Sequence, residues 1–484
     1  MCLSRRFLFA LLSSCFALPL FAQETLPANV ESLLKKANLP KSALSLVITP
    51  SRQNGYAFNL QGDKAVSPAS TMKLVSSFIA LDELGPNFRW KTQIYADTPL
   101  TGIKHGTYTG KLYLKGGGDP NLTWDKLSLL LRNLRQQGVR DLQGDIVLDR
   151  NYFQPTRPEL NVTPFDENPD AYYNVIPDAL LIHSNISAIA INSDSNTVES
   201  KLLTPMDKVS IKNQMTHNNA PCNEWKNTWV APQTSINPQA QIEISLSGAF
   251  PKNCQTTVYL NLVERNAYIG SVIRALWAEL GGSWQGQIQD GSTPANAVLI
   301  AQRESETLAD TLRIINKFSD NAMSRILFLT LGAESPIGKN FADSSQTANA
   351  VIRAWLAKNG ISDTGLQIEN GSGLSRTDKI SANQLASILR VAANSNWYPE
   401  FASSLPIVGI DGSMRNRLKF SAAEARARIK TGTLKNVVAV AGYVRDQQQN
   451  DWIVVGIINS DEASISRARP VLDEVINWVA NGRP

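Results

Sequence analysis

The 484-residue sequence predicts an α/β (α+β) protein, an antiparallel sheet covered by helices and interrupted by a strand-rich, two-part insertion. Three observations predict it. The two ends of the chain carry matching pieces, helix–strand–strand at the start and strand–strand–strand–helix at the finish. Segments with helical periodicity precede the closing strands. Between them, from about 91 to 262, short strand-like runs alternate with Gly, Pro, Asn and Asp.

Taken in order, the first residues stand apart from the fold. Arg5 and Arg6 precede an almost wholly apolar run from Phe7 to Phe21, and Ala22 offers a small residue before Gln23. This reads as a signal peptide over 1–22, too short and too Pro-interrupted (Pro19) for a permanent anchor. Asn29 to Ala37 is helical in pattern, "ALSLVIT" (43–49) is a strand, and "GYAFNL" (55–60) pairs with it across a Gly-containing turn. A helix containing Ser70 follows, with Val75, Phe78, Ile79 and Leu84 facing inward and Gly85-Pro86 stopping it. Residues 23–90 form the first part of the main domain.

The insertion over 91–262, possible as two nested subdomains, includes "GKLYLKGGGDP" (110–120), "GDIVLDRNYF" (144–153), "SAIAIN" (187–192) and "QIEISLSG" (241–248). The second part, 263–484, contains helical "ETLADTLRIINKF" (306–318) and "NAMSRILFLTLG" (321–332). Three antiparallel strands follow, "ARIKTGTL" (427–434), "VVAVAGYV" (437–444) and "WIVVGIIN" (452–459). A last helix, begun or broken at Pro470, carries Val471, Val475, Ile476 and Val479 at helical spacing. No apolar helix beyond it suggests an anchor, so membrane association is expected to be peripheral at most.

Hydrophobic content of 43% and charged content of 18% are those of a globular protein. Loss of residues 1–22 removes Arg5 and Arg6 and no acid, so the net charge falls from +5 to +3. That mild balance, with no basic run, does not suggest nucleic acid. Cys2 and Cys15 leave with the leader, and Cys222 and Cys254 remain as a pair in an oxidising context, where a structural disulfide is expected.

The only histidines, His105, His183 and His217, all fall in the insertion. There is no G-x-S-x-G elbow and no H-E-x-x-H pair, so a serine hydrolase with a histidine base and a zinc peptidase are both poorly supported. Lysine is left as the base for a nucleophilic mechanism. In "SPASTMKL" (67–74), Ser70 and Lys73 are one helical turn apart on one face. The positive end of a helix and a second lysine both disfavour an ammonium there, which frees Lys73 to take the Ser70 proton. S-x-x-K alone is common, and an exposed lysine beside a capping serine would look the same.

Two further stretches raise its weight. "FSDNAMS" (318–324) sets Ser319-Asp320-Asn321 at a helix–helix junction, with Ser319 able to relay a proton and Asn321 to orient Lys73 or a substrate carbonyl. "IKTGTL" (429–434) sets Lys430, Thr431, Gly432 and Thr433 on a strand. Lys430 supplies the second charge, Thr431 and Thr433 suit a substrate carboxylate, and Gly432 leaves room for an extended peptide.

Together and in this order, S-x-x-K, S-D-N and K-T-G resemble the penicillin-recognising serine enzymes. The 249-residue step from Ser70 to Ser319, against 111 from Ser319 to Lys430, resembles the class C low-molecular-mass penicillin-binding proteins, the D-Ala-D-Ala carboxypeptidase/endopeptidase group. "GGGDPNLT" (116–123), "GDIVLDRNYF" (144–153), "NGSGLSR" (370–376) and "LPIVGIDGSM" (405–414) extend the resemblance along the chain, with the weakest coverage over 155–260. It implies a β-lactamase-like transpeptidase domain split by inserted domains. It also implies hydrolysis of D-Ala-D-Ala and D-Ala–diaminopimelate bonds in peptidoglycan pentapeptide stems and cross-linked muropeptides, through a Ser70 acyl-enzyme that β-lactams also form. Backbone N–H groups of Ser70 and Thr433 would form the oxyanion hole. Arg376 would read the diaminopimelate end, and Asp166 would pair with a substrate ammonium. Lys435 departs from the polar amide expected two residues after the K-T-G-T stretch. No metal or organic cofactor is implied, and a periplasmic location follows in a Gram-negative cell. A β-lactamase, a scaffold that has lost catalysis and an exported esterase are the rivals. The first lacks E-x-x-L-N, the second would show a damaged motif, and the third lacks its elbow.

Overall fold

The computed structural model describes residues 25–482 apart from 102, 104, 238–240 and 337–341, so the expected signal peptide lies outside the described residues. The two ends of the chain meet in one antiparallel sheet. Strands β1 (Leu44–Pro50) and β2 (Phe58–Leu60) come from the start, and β3 (Ala427–Leu434), β4 (Val437–Arg445) and β5 (Asp451–Asn459) from the finish, in the order β3-β4-β5-β1-β2. The join is β1 against β5, with Leu44 opposite Ile458 and Pro50 opposite Trp452.

Every second residue faces the opposite side of a strand, and here both sides are apolar. Leu44, Leu46, Ile48, Val438, Val440 and Val454 pack under helices α1 (Ala28–Lys36) and α6 (Ile465–Ala480). Val47, Ala439, Ala441, Ile453, Val455 and Ile457 face a larger helical layer. That layer holds α2 (Lys73–Leu84), α3 (Leu308–Phe318), α4 (Asn321–Glu334) and α5 (Ala382–Asn394). α2 is buried from Lys73 through Leu81, with Phe78 wedged against Trp355 and Phe401 at centroid distances of 5.7 and 5.2 Å. A helix apolar on all sides belongs inside a domain. The lysine that opens it is therefore drawn inside as well.

Two expected boundaries move. α6 starts at Ile465 and carries Pro470 inside it as its sixth residue, so the helix goes without the bond that a Pro470 N–H would have given to the Ser466 carbonyl. The insertion begins with strand Lys91–Ala96, but its sheet also takes in Ile288–Gly291 and Val298–Glu304, which pair with Ile146–Asp149 and Lys91–Ala96. Helix Arg265–Glu279 packs on the same core as Trp124–Gln136. The expected limit at 262 thus falls inside the paired region, which runs to Glu304. The returning strand Ile288–Gly291 is largely exposed and polar, so it gives little apolar periodicity to read. Nested within are two smaller sheets centred on Ser187–Ser193 and Ile242–Pro251, sharing a core with Cys254, which is disulfide-bonded to Cys222.

Candidate active site

Ser70 sits on a single 3-10 turn, Ala69–Met72, that runs into α2, so the helix proper starts three residues later than expected. The turn is clamped between two backbones. A methyl group at Gly373 (φ 77°) would lie 1.9 Å from the Ala69 carbonyl oxygen, and one at Gly432 would lie 2.7 Å from that of Pro68 and 2.9 Å from the Ser70 nitrogen. Only glycine permits that approach.

Lys73 Nζ donates to Asn321 Oδ1 at 2.6 Å and to the Ser372 carbonyl at 2.5 Å, and lies 3.1 Å from Ser70 Oγ. The Asn321 amide is oriented by its other end, whose Nδ2 donates to the Tyr173 carbonyl at 3.0 Å. Burial pushes the Lys73 amine well below its ordinary pKa, and the charge of Lys430 pushes it further, with Asp320 opposing. A neutral amine has two N–H donors and one lone pair. Asn321 and Ser372 offer only acceptor oxygens, so they take both donors, and the lone pair is left for the Ser70 hydroxyl.

The second lysine is just as deeply buried. Lys430 Nζ donates to Ser319 Oγ at 2.8 Å and to the Thr431 carbonyl at 2.8 Å, and burial lowers its pKa to about 7. Ser319 holds a left-handed backbone, φ 59°, as the C-cap of α3, and Asp320 caps α4 by accepting from Met323 N at 2.8 Å. The S-D-N turn is thus the hinge between two helices, its first and third side chains each on a lysine.

β3 is an edge strand, and its free edge points at the site. Ile429 N donates outward to the Pro406 carbonyl at 2.8 Å. N–H directions alternate along a strand, so Thr431 and Thr433 also point their N–H groups away from β4. Thr431 Oγ1 donates to Ser413 Oγ at 2.8 Å, while the Thr433 side chain is exposed.

The peripheral candidates are placed less directly. Arg376 is exposed and lays its guanidinium over Phe165, 4.3 Å from the ring centroid. Asp166 takes three hydrogen bonds, from Asn168 N, Asn174 Nδ2 and the Tyr173 hydroxyl. Burial works against the charge, but these bonds outweigh it and hold Asp166 below the usual carboxylate range. A carboxylate accepts about four bonds, so Asp166 keeps one acceptor site beyond these three. It also braces the loop whose Tyr173 carbonyl holds Asn321. Lys435 is exposed.

Sequence reasoning missed the carbonyl of Ser372 and what steadies it. Ser76 and Ser324 both donate to the neighbouring Gly371 carbonyl, at 2.5 and 3.1 Å. A backbone acceptor leaves no side-chain signature; the one available signal was the glycine–serine alternation of "NGSGLSR".

A serine whose adjacent base is a lysine, seated beside the open edge of an antiparallel sheet, defines a penicillin-recognising serine enzyme. The family model described as D-Ala-D-Ala carboxypeptidase 3 (S13) matches residues 26–480, and the chain belongs to that family. It is 25% identical over 432 residues to a D-alanyl-D-alanine carboxypeptidase of an Actinomadura species, covering 86% of this chain and 78% of that protein. It is 26% identical over 461 residues to the D-alanyl-D-alanine carboxypeptidase DacB of Haemophilus influenzae, covering 93% and 91%. The crystal structure of penicillin-binding protein 4 from Haemophilus influenzae shares the fold, with a TM-score of 0.77 at 22% identity over 94% of this chain and all of that one.

Proposed function

We propose that the chain is a serine-type D-Ala-D-Ala carboxypeptidase and D,D-endopeptidase acting on peptidoglycan, with Ser70 as nucleophile. The observation that carries this is the lone pair of Lys73, aimed at Ser70 because both N–H donors of the neutral amine are committed elsewhere. Lys73 takes the Ser70 proton as Oγ bonds to the D-Ala carbonyl carbon. The N–H groups of Ser70 and Thr433 hold the oxyanion, and Thr431, Thr433 and charged Lys430 hold the terminal carboxylate. The C–N bond then breaks as the proton held by Lys73 passes to the departing amine with Ser319 as relay, which leaves Lys73 neutral again and Lys430 charged. Water attacks the resulting ester, giving its proton to Lys73, and Ser70 leaves reprotonated through the same lysine.

Pentapeptide stems and D-Ala–diaminopimelate cross-links both present this bond, and β-lactams acylate the same serine. Export by residues 1–22 to a periplasm accords with the bonded pair Cys222–Cys254, since disulfides persist in oxidising compartments. Among the described residues no helix is long and apolar enough to cross a membrane.

Intact mass after incubation with benzylpenicillin tests the reading. One stable adduct on the wild type, absent from Ser70→Ala, is expected, followed by cleavage of cross-linked muropeptides. No adduct with the antibiotic intact would leave a peptidoglycan-binding scaffold. No adduct with rapid hydrolysis of the antibiotic would make the protein a β-lactamase.

A further inference from the structure

The Ser372 carbonyl that holds Lys73 belongs to the loop 369–378, and a buried acid at the base of that loop takes no part in the steps above. Backbone bonds between Gln367 and Lys379, at 2.9 and 3.0 Å, close the loop. Just inside them Asp378 Oδ1 accepts from Glu369 N at 2.7 Å, and Asp378 N donates to Ser375 Oγ at 2.9 Å. At the tip Asn370 Oδ1 accepts from Ser372 N at 3.1 Å and from Ser372 Oγ at 2.6 Å, which fixes the carbonyl that faces Lys73. α4 packs along the other side. Ser324 donates to the Gly371 carbonyl at 3.1 Å, and a methyl group at Gly371 would lie 2.6 Å from Phe328 Cβ. A short path of chain and hydrogen bonds thus joins Asp378 to Lys73.

Asp378 is 1% exposed, and its Oδ2 is buried with no hydrogen-bond partner among the described residues. Burial lifts its pKa to about 6, so at neutral pH it is a carboxylate. A buried carboxylate needs positive charge near it. Two cations act on it: Arg325, one turn beyond Asn321 on α4, and Lys73 itself. The exposed Glu369 opposes its charge. The coupling to Lys73 is mutual, since each of the two favours the charged form of the other. The other charges around Lys73 are Lys430 and Arg325, which disfavour its ammonium, and Asp320, which favours it. Acylation makes this balance matter. Lys73 starts neutral and becomes an ammonium on taking the Ser70 proton, fully buried and with Lys430 charged. Asp320 already accepts at both oxygens, from Met323 N and the Tyr172 hydroxyl. Asp378 is the nearby acid whose charge is not taken up by hydrogen bonds at both oxygens.

We propose that Asp378 is a positioning residue for acylation, its carboxylate supplying the counter-charge to the ammonium that Lys73 becomes; this rests on the active-site reading above. Asp378→Asn keeps an acceptor for Glu369 N and removes the charge. Its acylation by a fluorescent penicillin, followed across pH, should reach a maximum about tenfold lower. The acid limb should move about one unit toward lower pH, because Lys73 becomes a weaker base. Ser375→Ala loosens the base of the loop and leaves the charge, so it should slow acylation severalfold with the limb in place. Coupling is reciprocal, so Lys73→Met should raise the pH at which the Asp378 carboxyl titrates, read from its ¹³C NMR signal without any turnover. An acid limb unmoved in Asp378→Asn, or moved as far by Ser375→Ala, overturns the proposal. So does an Asp378 signal that Lys73→Met leaves in place. A wild type that takes no penicillin adduct would instead overturn the active-site reading, while the Asp378 signal would still decide the pairing.

Discussion

The main domain and the nested sheets of the insertion handle polar groups in opposite ways. In the main domain Lys73, Lys430, Ser76, Ser324 and Asn316 are buried, and each has a named hydrogen-bond partner. In the nested region, strands Val198–Leu202 and Trp229–Ile236 turn most of their residues outward, and the enclosed core is small. Burying a charge is costly unless it is paired or loses its proton. The main domain uses that cost to keep an amine neutral, and the nested region avoids it. Substitutions should therefore damage chemistry in the first and stability in the second.

The largest effect should come from Lys73→Ala, which removes the base. A loss of about 10²–10⁴ in the rate of Ser70 acylation is expected, measured by stopped-flow with a fluorescent penicillin while thermal unfolding changes little. A drop in Tm without a drop in acylation would break the comparison. Next, Cys222→Ser with Cys254→Ser should cost about 2–4 kcal/mol of stability in the inserted region, read as a lower first transition in calorimetry, with acylation unchanged. A loss of acylation would mean that the nested sheets support the site.

Smaller still, Ser76→Ala with Ser324→Ala should lower acylation severalfold, because two bonds of about 1 kcal/mol each no longer hold the Gly371 carbonyl. The rate should fall with substrate KM unchanged, and the acid limb of the pH profile should shift, as expected of residues that position Lys73. The finest test is that pH profile. Acylation should rise with pH as Lys73 loses its proton and fall as Lys430, with its pKa lowered to about 7, loses its own. Lys430→Arg keeps its charge at high pH, so the alkaline limb should disappear from whatever rate remains; if it persists, Lys430 is not its source.

Most of the central sheet was legible because its strands are apolar on both faces and end at clear turns, as in β4 and β5. The motif residues were legible through their side chains: Ser70, Lys73 and Asn321 share one hydrogen-bonded group and Ser319 and Lys430 another, joined through the S-D-N turn. Contacts made by backbone were not, and the Ser372 carbonyl on Lys73 could not be read from any residue type. The end of the insertion was missed because Ile288–Gly291 gains its place by pairing rather than burial.

The seam between β1 and β5 has a consequence for timing. Lys430 follows Ser319 by 111 residues, and it follows Ser70 by 360, so the sheet edge reaches the serine only after most of the chain has emerged. Contacts so distant along the chain form late and slowly. The nucleophile therefore stays unarmed through most of synthesis, and a nascent chain shorter than about 460 residues carries the serine without its full machinery. Completion of the last strands switches the enzyme on.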